Sequence, residues 1–237
     1  MINKIKLFLD KNKKMKKIAI TIYKPTIGYI INKRRNRLFK KVGKEALYKV
    51  DKVFNELNIL YWLEFGTLLG AIREKDFIQH DLDIDLGCFF EDYNKNNEKI
   101  FEKYGFKKTR EFLIDNGKFG REETYSYKGV DIDIFYFHKR KNVMFCHTFA
   151  PIEGKSREGT IEEIGGLLVR ELSYPYKGFK KIKFLGKDFN IPSNVEEHLS
   201  ASYGENYMIK DPNYSNKIAK NVVLLPDKLG IRRLYDK

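Results

Sequence analysis

Two short stretches of the chain alternate an acid with an aliphatic residue: Asp81-Leu82-Asp83-Ile84-Asp85-Leu86 and Val130-Asp131-Ile132-Asp133-Ile134-Phe135. A period of two suits a β-strand, where residues i and i+2 share a face. Each stretch then sets its carboxylates side by side and buries its aliphatics behind them. Like charges at neighbouring same-face positions repel, and they persist where a cation neutralises them. Hard oxygen ligands of this kind suit Mg2+ or Mn2+. For one strand alone, an exposed sheet edge that uses acids to deter aggregation explains the pattern as well. Two such strands lying together in one sheet would converge three or more carboxylates, which favours the cation.

The residues ahead of the first acidic stretch add to this reading. Val42, Ala46, Leu47, Val50, Val53, Phe54 and Leu57 recur at helical spacing and predict a helix from about 42 to 58, ended by Asn58. Residues 59–65 read as a short buried strand. Gly66 and Thr67 follow, and Leu68 to Arg73 open a short helix with Thr67 as its expected N-cap. A helix start exposes backbone N–H groups that suit phosphate, and Gly66 allows close approach. Taken alone, Gly-Thr before a helix is also an ordinary capped turn.

Charge divides the chain. The net charge is +14, and residues 1–52 hold seventeen of the 46 Lys and Arg with only Asp10, Glu45 and Asp51 against them. That segment therefore carries the whole excess, and the rest of the chain is balanced. A uniformly basic nucleic-acid binder would not look like this. Within residues 1–41, short apolar runs alternate with Lys/Arg clusters, and none reaches the roughly 18–20 apolar residues that span a bilayer. The segment suits an anionic membrane surface, a solvated arm packed on the domain, or, with least support, nucleic acid. The expected organisation is a basic amphipathic arm over 1–41 and a catalytic domain over 42–237. Two cysteines, Cys88 and Cys146, are too few for a disulfide framework, so a reduced cytoplasmic setting is expected.

The stretch Phe65-Gly-Thr-Leu-Leu-Gly-Ala-Ile-Arg-Glu-Lys-Asp-Phe-Ile-Gln-His-Asp-Leu-Asp-Ile-Asp-Leu-Gly87 resembles the signature of the LicD family within the nucleotidyltransferase superfamily. That family includes bacterial phosphocholine transferases, fukutin and fukutin-related protein. Asp133-Ile134-Phe135 is similar to a later family segment. Ile191-Pro192, Glu197-His198-Leu199 and Tyr203-Gly204 resemble its closing segment, so the likeness covers about residues 45–215. Two departures stand out: Gln79-His80 replaces a Pro-Trp, and Tyr136 replaces a Pro. Both are expected to reshape the donor pocket while leaving the carboxylates intact.

The resemblance implies an α/β fold, with a small mixed sheet of about five strands flanked by helices, a basic N-terminal helical arm and helical additions at both ends. It implies transfer of a phospho-alcohol, phosphocholine-like or polyol phosphate, from a CDP-linked donor to a hydroxyl of a cell-surface glycan or glycolipid precursor. Asp83 and Asp85 would hold Mg2+ or Mn2+ on the donor diphosphate. Asp133 would hold a second ion or act as base. Gly66, Thr67 and Arg73 would bind donor phosphate, although Arg73 equally suits a surface salt bridge. Asp81, Asp131 and His80 are secondary candidates.

Among the remaining residues, His147 is a further proton-transfer candidate, against the more ordinary structural histidine. Glu122 and Glu123 read as solvated charges, and Gly165-Gly166 as a turn. Lys180, Lys181 and Lys183 lie on an expected strand that presents a basic face. Two other functions compete: nucleotidyl transfer from an NTP to a protein or small molecule, and a non-enzymatic membrane- or RNA-binding role. The location implied by the leading reading is cytoplasmic, peripheral at the inner face of the cell membrane.

Overall fold

The structure is a computed structural model that describes residues 13–211 and 221–235, with side chains from Tyr29 onward. The arm's first residues, 1–12, and the side chains of 13–28 lie outside the described part, so much of the expected basic arm does too.

Helix α1, Lys13–Leu57, is one continuous element that crosses the expected arm–domain join at 41/42 without a break. Its apolar stripe, Phe39, Val42, Ala46, Leu47, Val50, Val53 and Phe54, is buried. It ends at Asn58 in the left-handed region, φ 53°. Strand β1, Tyr61–Leu63, follows, and then helix α2, Phe65–Leu69, runs into a wider turn over Gly70–Glu74. Asp83 and Asp85 of the first acidic stretch are on β2, Asp83–Phe89. Helix α3, Asn97–Lys103, leads to β3, Lys107–Ile114, and β4, Gly120–Tyr127. Next come β5, Val130–Arg140, and β6, Val143–Ala150. Helix α4, Arg157–Ile164, ends at Gly165 in the left-handed region, as a turn requires. Then follow β7, Leu167–Pro175, the hairpin β8, Phe179–Phe184, and β9, Lys187–Pro192, helix α5, Val195–Tyr203, and β10, Val222–Leu234.

The fold is α/β, as expected, but its sheet is larger than expected. Eight strands join in the order β1-β2-β5-β4-β3-β10-β7-β6, and β6 also pairs with the end of β5. The ladders from β5 through β4, β3, β10, β7 and β6 back to β5 are antiparallel, so the sheet curls into a ring. The β2–β5 ladder is parallel. The expected C-terminal helical addition is instead the long strand β10, whose two flanks bond β3 and β7. Its Leu/Val-rich sequence fits a strand with neighbours on both sides.

The main core lies between α1 and the aliphatic side of the acidic strands. Ile84, Leu86, Ile132 and Ile134 are fully buried there together with Val50 and Leu47. Truncating one of these to Ala would cost roughly 2–5 kcal/mol. This packing fixes which way the acids point.

Candidate active site

The two acidic strands meet in parallel register. Asp83 stands beside Asp131 and Asp85 beside Asp133. With the isoleucines turned to α1, strand alternation puts all four carboxylates on the other face. On the far side of β5, β4 sets Ser126 opposite Asp131, Thr124 opposite Asp133 and Glu122 opposite Phe135. Strand β3 then places Arg110 beside Thr124. Four strands thus build one polar surface.

Local bonds hold several acids in place. Asp133 Oδ1 accepts from Thr124 Oγ1 at 2.6 Å and from Arg110 Nη2 at 3.3 Å. Asp85 Oδ2 accepts from the Gly66 N–H at 3.0 Å, and the Asp85 N–H donates to Thr67 Oγ1 at 2.9 Å. Asp131 Oδ2 accepts from Arg35 Nη2 at 3.3 Å. Asp81 Oδ2 accepts from the Ile78 N–H at 3.3 Å. A side chain at Gly66 would put its Cβ 3.2 Å from the Asp85 carboxylate and 3.7 Å from that of Asp81, so glycine leaves the carboxylates open at this point.

These acids are short of positive charge. Burial first, then Asp83, Asp133 and Asp81, push Asp85 well above the usual carboxylate range. Burial and then Asp83 push Asp81 up to about 7. Burial raises Asp83 too, with Asp131 adding and Arg35 and Arg110 opposing. Asp133 is raised by burial to about 6 against the pull of Arg110 and Thr124, and Glu122 by burial and Asp133 to about 8. Desolvated carboxylates that raise one another form an oxygen donor set that Mg2+ or Mn2+ would relieve. Among the described residues, no three His, Cys, Asp or Glu side chains are gathered tightly enough to hold a metal ion as they stand. Asp85 and Asp133 spend oxygens on Gly66, Thr124 and Arg110, so ligation would need these bonds to yield.

The other expected residues are placed differently from one another. Thr67 is buried inside α2 and is not its cap; the N-cap is Glu64, whose carboxylate accepts from the Phe65 N–H. Glu64 is itself buried, bonded by Trp62 Nε1 at 2.7 Å and 2.7 Å from His198 Nε2. His198 belongs to the Glu197-His198-Leu199 segment, so that segment anchors the start of α2. Arg73 bonds Glu74 through Nε at 3.1 Å and the Tyr207 carbonyl through Nη1 at 3.1 Å, so part of its guanidinium is already engaged. His80 is exposed, and the carbonyls on either side of it, Gln79 and Asp81, accept from Asn36. His147 is buried, with both ring nitrogens unbonded, and burial holds it down at about 4.

Three expectations need correction. Glu122 and Glu123 are not solvated: both are buried, on opposite faces of β4. Tyr136 does not reshape the acid face, because its side chain points the other way and its hydroxyl donates to Glu123 at 2.8 Å. The N-cap of α2 lies three residues earlier than expected.

Sequence reasoning missed Arg110, Arg35, Thr124 and Glu122. A period-two reading of Gly120–Tyr127 separates Glu122 and Thr124 from Glu123, and would have found two of them. Arg110 follows a register shift in β3 between Lys108 and Arg110, which hides its face from simple alternation.

Comparison with known proteins matches residues 58–163 to the family described as LicD/FKTN/FKRP, nucleotidyltransferase domain. The Homo sapiens ribitol-5-phosphate transferase FKTN is 27% identical over 176 residues, which is 72% of this chain and 34% of that protein. The Homo sapiens ribitol 5-phosphate transferase FKRP is 25% identical over 214 residues, 86% of this chain and 40% of that protein. An uncharacterized Rickettsia prowazekii protein, RP689, is 33% identical over 172 residues, 69% of this chain and 56% of that protein. The chain spans about a third of the length of the FKTN relatives it matches.

Proposed function

We propose that this chain, which residues 58–163 make a member of the LicD family, transfers a phospho-alcohol from a CDP-linked donor to a hydroxyl of a cell-surface glycan or glycolipid precursor. The observation that carries the reading is the parallel register that lines up Asp83 with Asp131 and Asp85 with Asp133 on one charge-deficient face. In the reaction, the acceptor oxygen forms a bond to the phosphorus that bears the alcohol. The bond from that phosphorus to CMP breaks, CMP leaves, and the acceptor proton is released.

Asp83, Asp85 and Asp133 would hold the divalent ion, whose chemistry is to neutralise charge on the diphosphate and on the departing CMP. Gly66 keeps the space beside Asp85 and Asp81 free of side chain, so a phosphate can approach the backbone. Thr67 fixes the β2 backbone at Asp85. In place of a ligand role, Asp133 is the candidate base for the acceptor proton. Arg73 is a weaker donor-phosphate candidate, given its bonds to Glu74 and Tyr207.

Placement at an anionic membrane surface is part of the same proposal. Tyr29, Ile30 and Ile31 are exposed on α1 beside Lys33, Arg34 and Arg37, which is the mixture an interfacial helix presents. Among the described residues no helix is long and apolar enough to cross a membrane. The proposed setting is cytoplasmic, peripheral at the inner face of the membrane, where lipid-linked acceptors would be within reach.

The test is incubation with labelled CDP-ribitol, CDP-glycerol or CDP-choline, and separately with NTPs, with Mg2+ or Mn2+ and a glycan extract. Release of CMP with label on the glycan supports the proposal. Pyrophosphate release from an NTP supports nucleotidyl transfer instead, and release of neither contradicts both.

A further inference from the structure

We propose that Arg110 has two stations: it holds Asp133 while no divalent ion is present, and it turns onto the donor diphosphate once Asp133 becomes a ligand. The inference rests on the functional reading above and adds a residue to it. Arg110 stands on β3, and its side chain crosses β4 to reach Asp133 on β5. Its contact with Asp133, at 3.3 Å, is long for a charge-assisted bond, which is ordinarily about 2.7–2.9 Å. The same Nη2 makes its shorter bond, 2.8 Å, to Thr124. Its Nε is buried and has no hydrogen-bond partner. A buried donor without an acceptor is costly, and a phosphate oxygen would satisfy it. The guanidinium lies 5.4 Å from the Phe112 ring centre, and its side chain is 27% exposed, so it is supported from below and reachable from solvent.

The planar fork of arginine matches two phosphate oxygens at once, which a lysine cannot do. While it sits on Asp133, the same charge competes with any cation for that carboxylate. Removing it should therefore move two affinities in opposite directions. Arg35 offers no such pairing of roles: it is more exposed, and it bonds Asp131 from helix α1.

Calorimetric titration separates the two stations. With MnCl2 alone, Arg110→Gln is expected to bind Mn2+ at least as tightly as the wild type. With CDP titrated into protein saturated with Mn2+, the same variant is expected to bind roughly tenfold or more weakly. Arg110→Lys, which keeps the charge and loses the fork, should keep the wild-type Mn2+ affinity and recover only part of the CDP affinity. Weaker binding of both ligands by Arg110→Gln, or unchanged CDP binding, overturns the inference while the functional reading stands. A wild-type protein that takes up neither Mn2+ nor CDP overturns the functional reading, and this inference with it.

Discussion

Glu122 and Glu123 are neighbours in sequence, both buried, and they face opposite sides of β4. On the Glu123 side, the carboxylate accepts from Lys108 at 2.7 Å, Arg121 at 3.3 Å, Tyr136 at 2.8 Å and Tyr125 at 3.3 Å. Glu111 joins through Lys108 at 2.6 Å. Burial pushes Glu111 up, but Lys108, Tyr235 and Arg121 outweigh it and hold it below the ordinary range. Burial likewise depresses Lys108, and Glu123 and Glu111 more than restore it. On the Glu122 side, Asp81, Asp83, Asp85, Asp133 and Glu122 are all raised. The same strands therefore carry one face where buried charge is matched and one where it is not. The fold balances its buried charges on one face of these strands and leaves them unbalanced on the other, and the proposed divalent ion would remove that imbalance.

The contrast can be broken in steps. The largest effect is expected from Asp85→Asn: transferase activity should fall on the order of a thousandfold, as for loss of a group that stabilises developing charge. Metal-dependent CDP binding should vanish in calorimetry, while the folded protein survives. Retained activity would mean that the unbalanced face is inert.

Next comes the matched face. Glu123→Gln should destabilise the protein by roughly 3–5 kcal/mol in urea unfolding, because it takes the paired carboxylate from buried Arg121 and leaves Lys108 with Glu111 as its close partner. Mn2+ uptake per folded molecule should not change. A loss below about 1 kcal/mol would remove the distinction between the faces.

The pH dependence sharpens the same point. Asp133 and Glu122 have folded values of about 6 and about 8, above those of an unfolded chain. Their contribution to stability is complete below the unfolded carboxylate value and is lost as pH rises through the folded values. Without divalent ion, the thermal midpoint of the wild type should therefore fall relative to Asp133→Asn, which removes one of these groups and relieves the other, as pH goes from about 5 to about 8. Mn2+ should reverse the fall in the wild type alone. A wild-type midpoint that rises relative to the variant over that range contradicts the charge deficit.

The smallest effect is expected from Arg35→Gln. Its pair with Asp131 is half-exposed, so stability should change by about 0–1 kcal/mol in thermal melts. A larger loss would make α1 a structural part of the acid face.

Much of the acid face was legible because period-two alternation survives in β2 and β5, where α1 covers the aliphatic side. The parallel pairing itself was only supposed, since strand partners far apart in sequence leave no local mark. The closing ring was not legible at all: β10 inserts between β3 and β7 from the far end of the chain. Glu123 could not be told from a surface acid without Lys108 and Arg121 beside it. Thr67 was misplaced because Glu64, a buried acid, took the capping role usually filled by a small hydroxyl residue. His198 showed its purpose only when folding brought it to Glu64, 134 residues away.

Anomalous diffraction from crystals grown with Mn2+ and CDP tests the central claim most directly. The account predicts a manganese peak bounded by the carboxylates of Asp83, Asp85 and Asp133, next to the nucleotide diphosphate. Manganese absent from that face, or bound instead among Glu111, Glu123 and their neighbours, would contradict it.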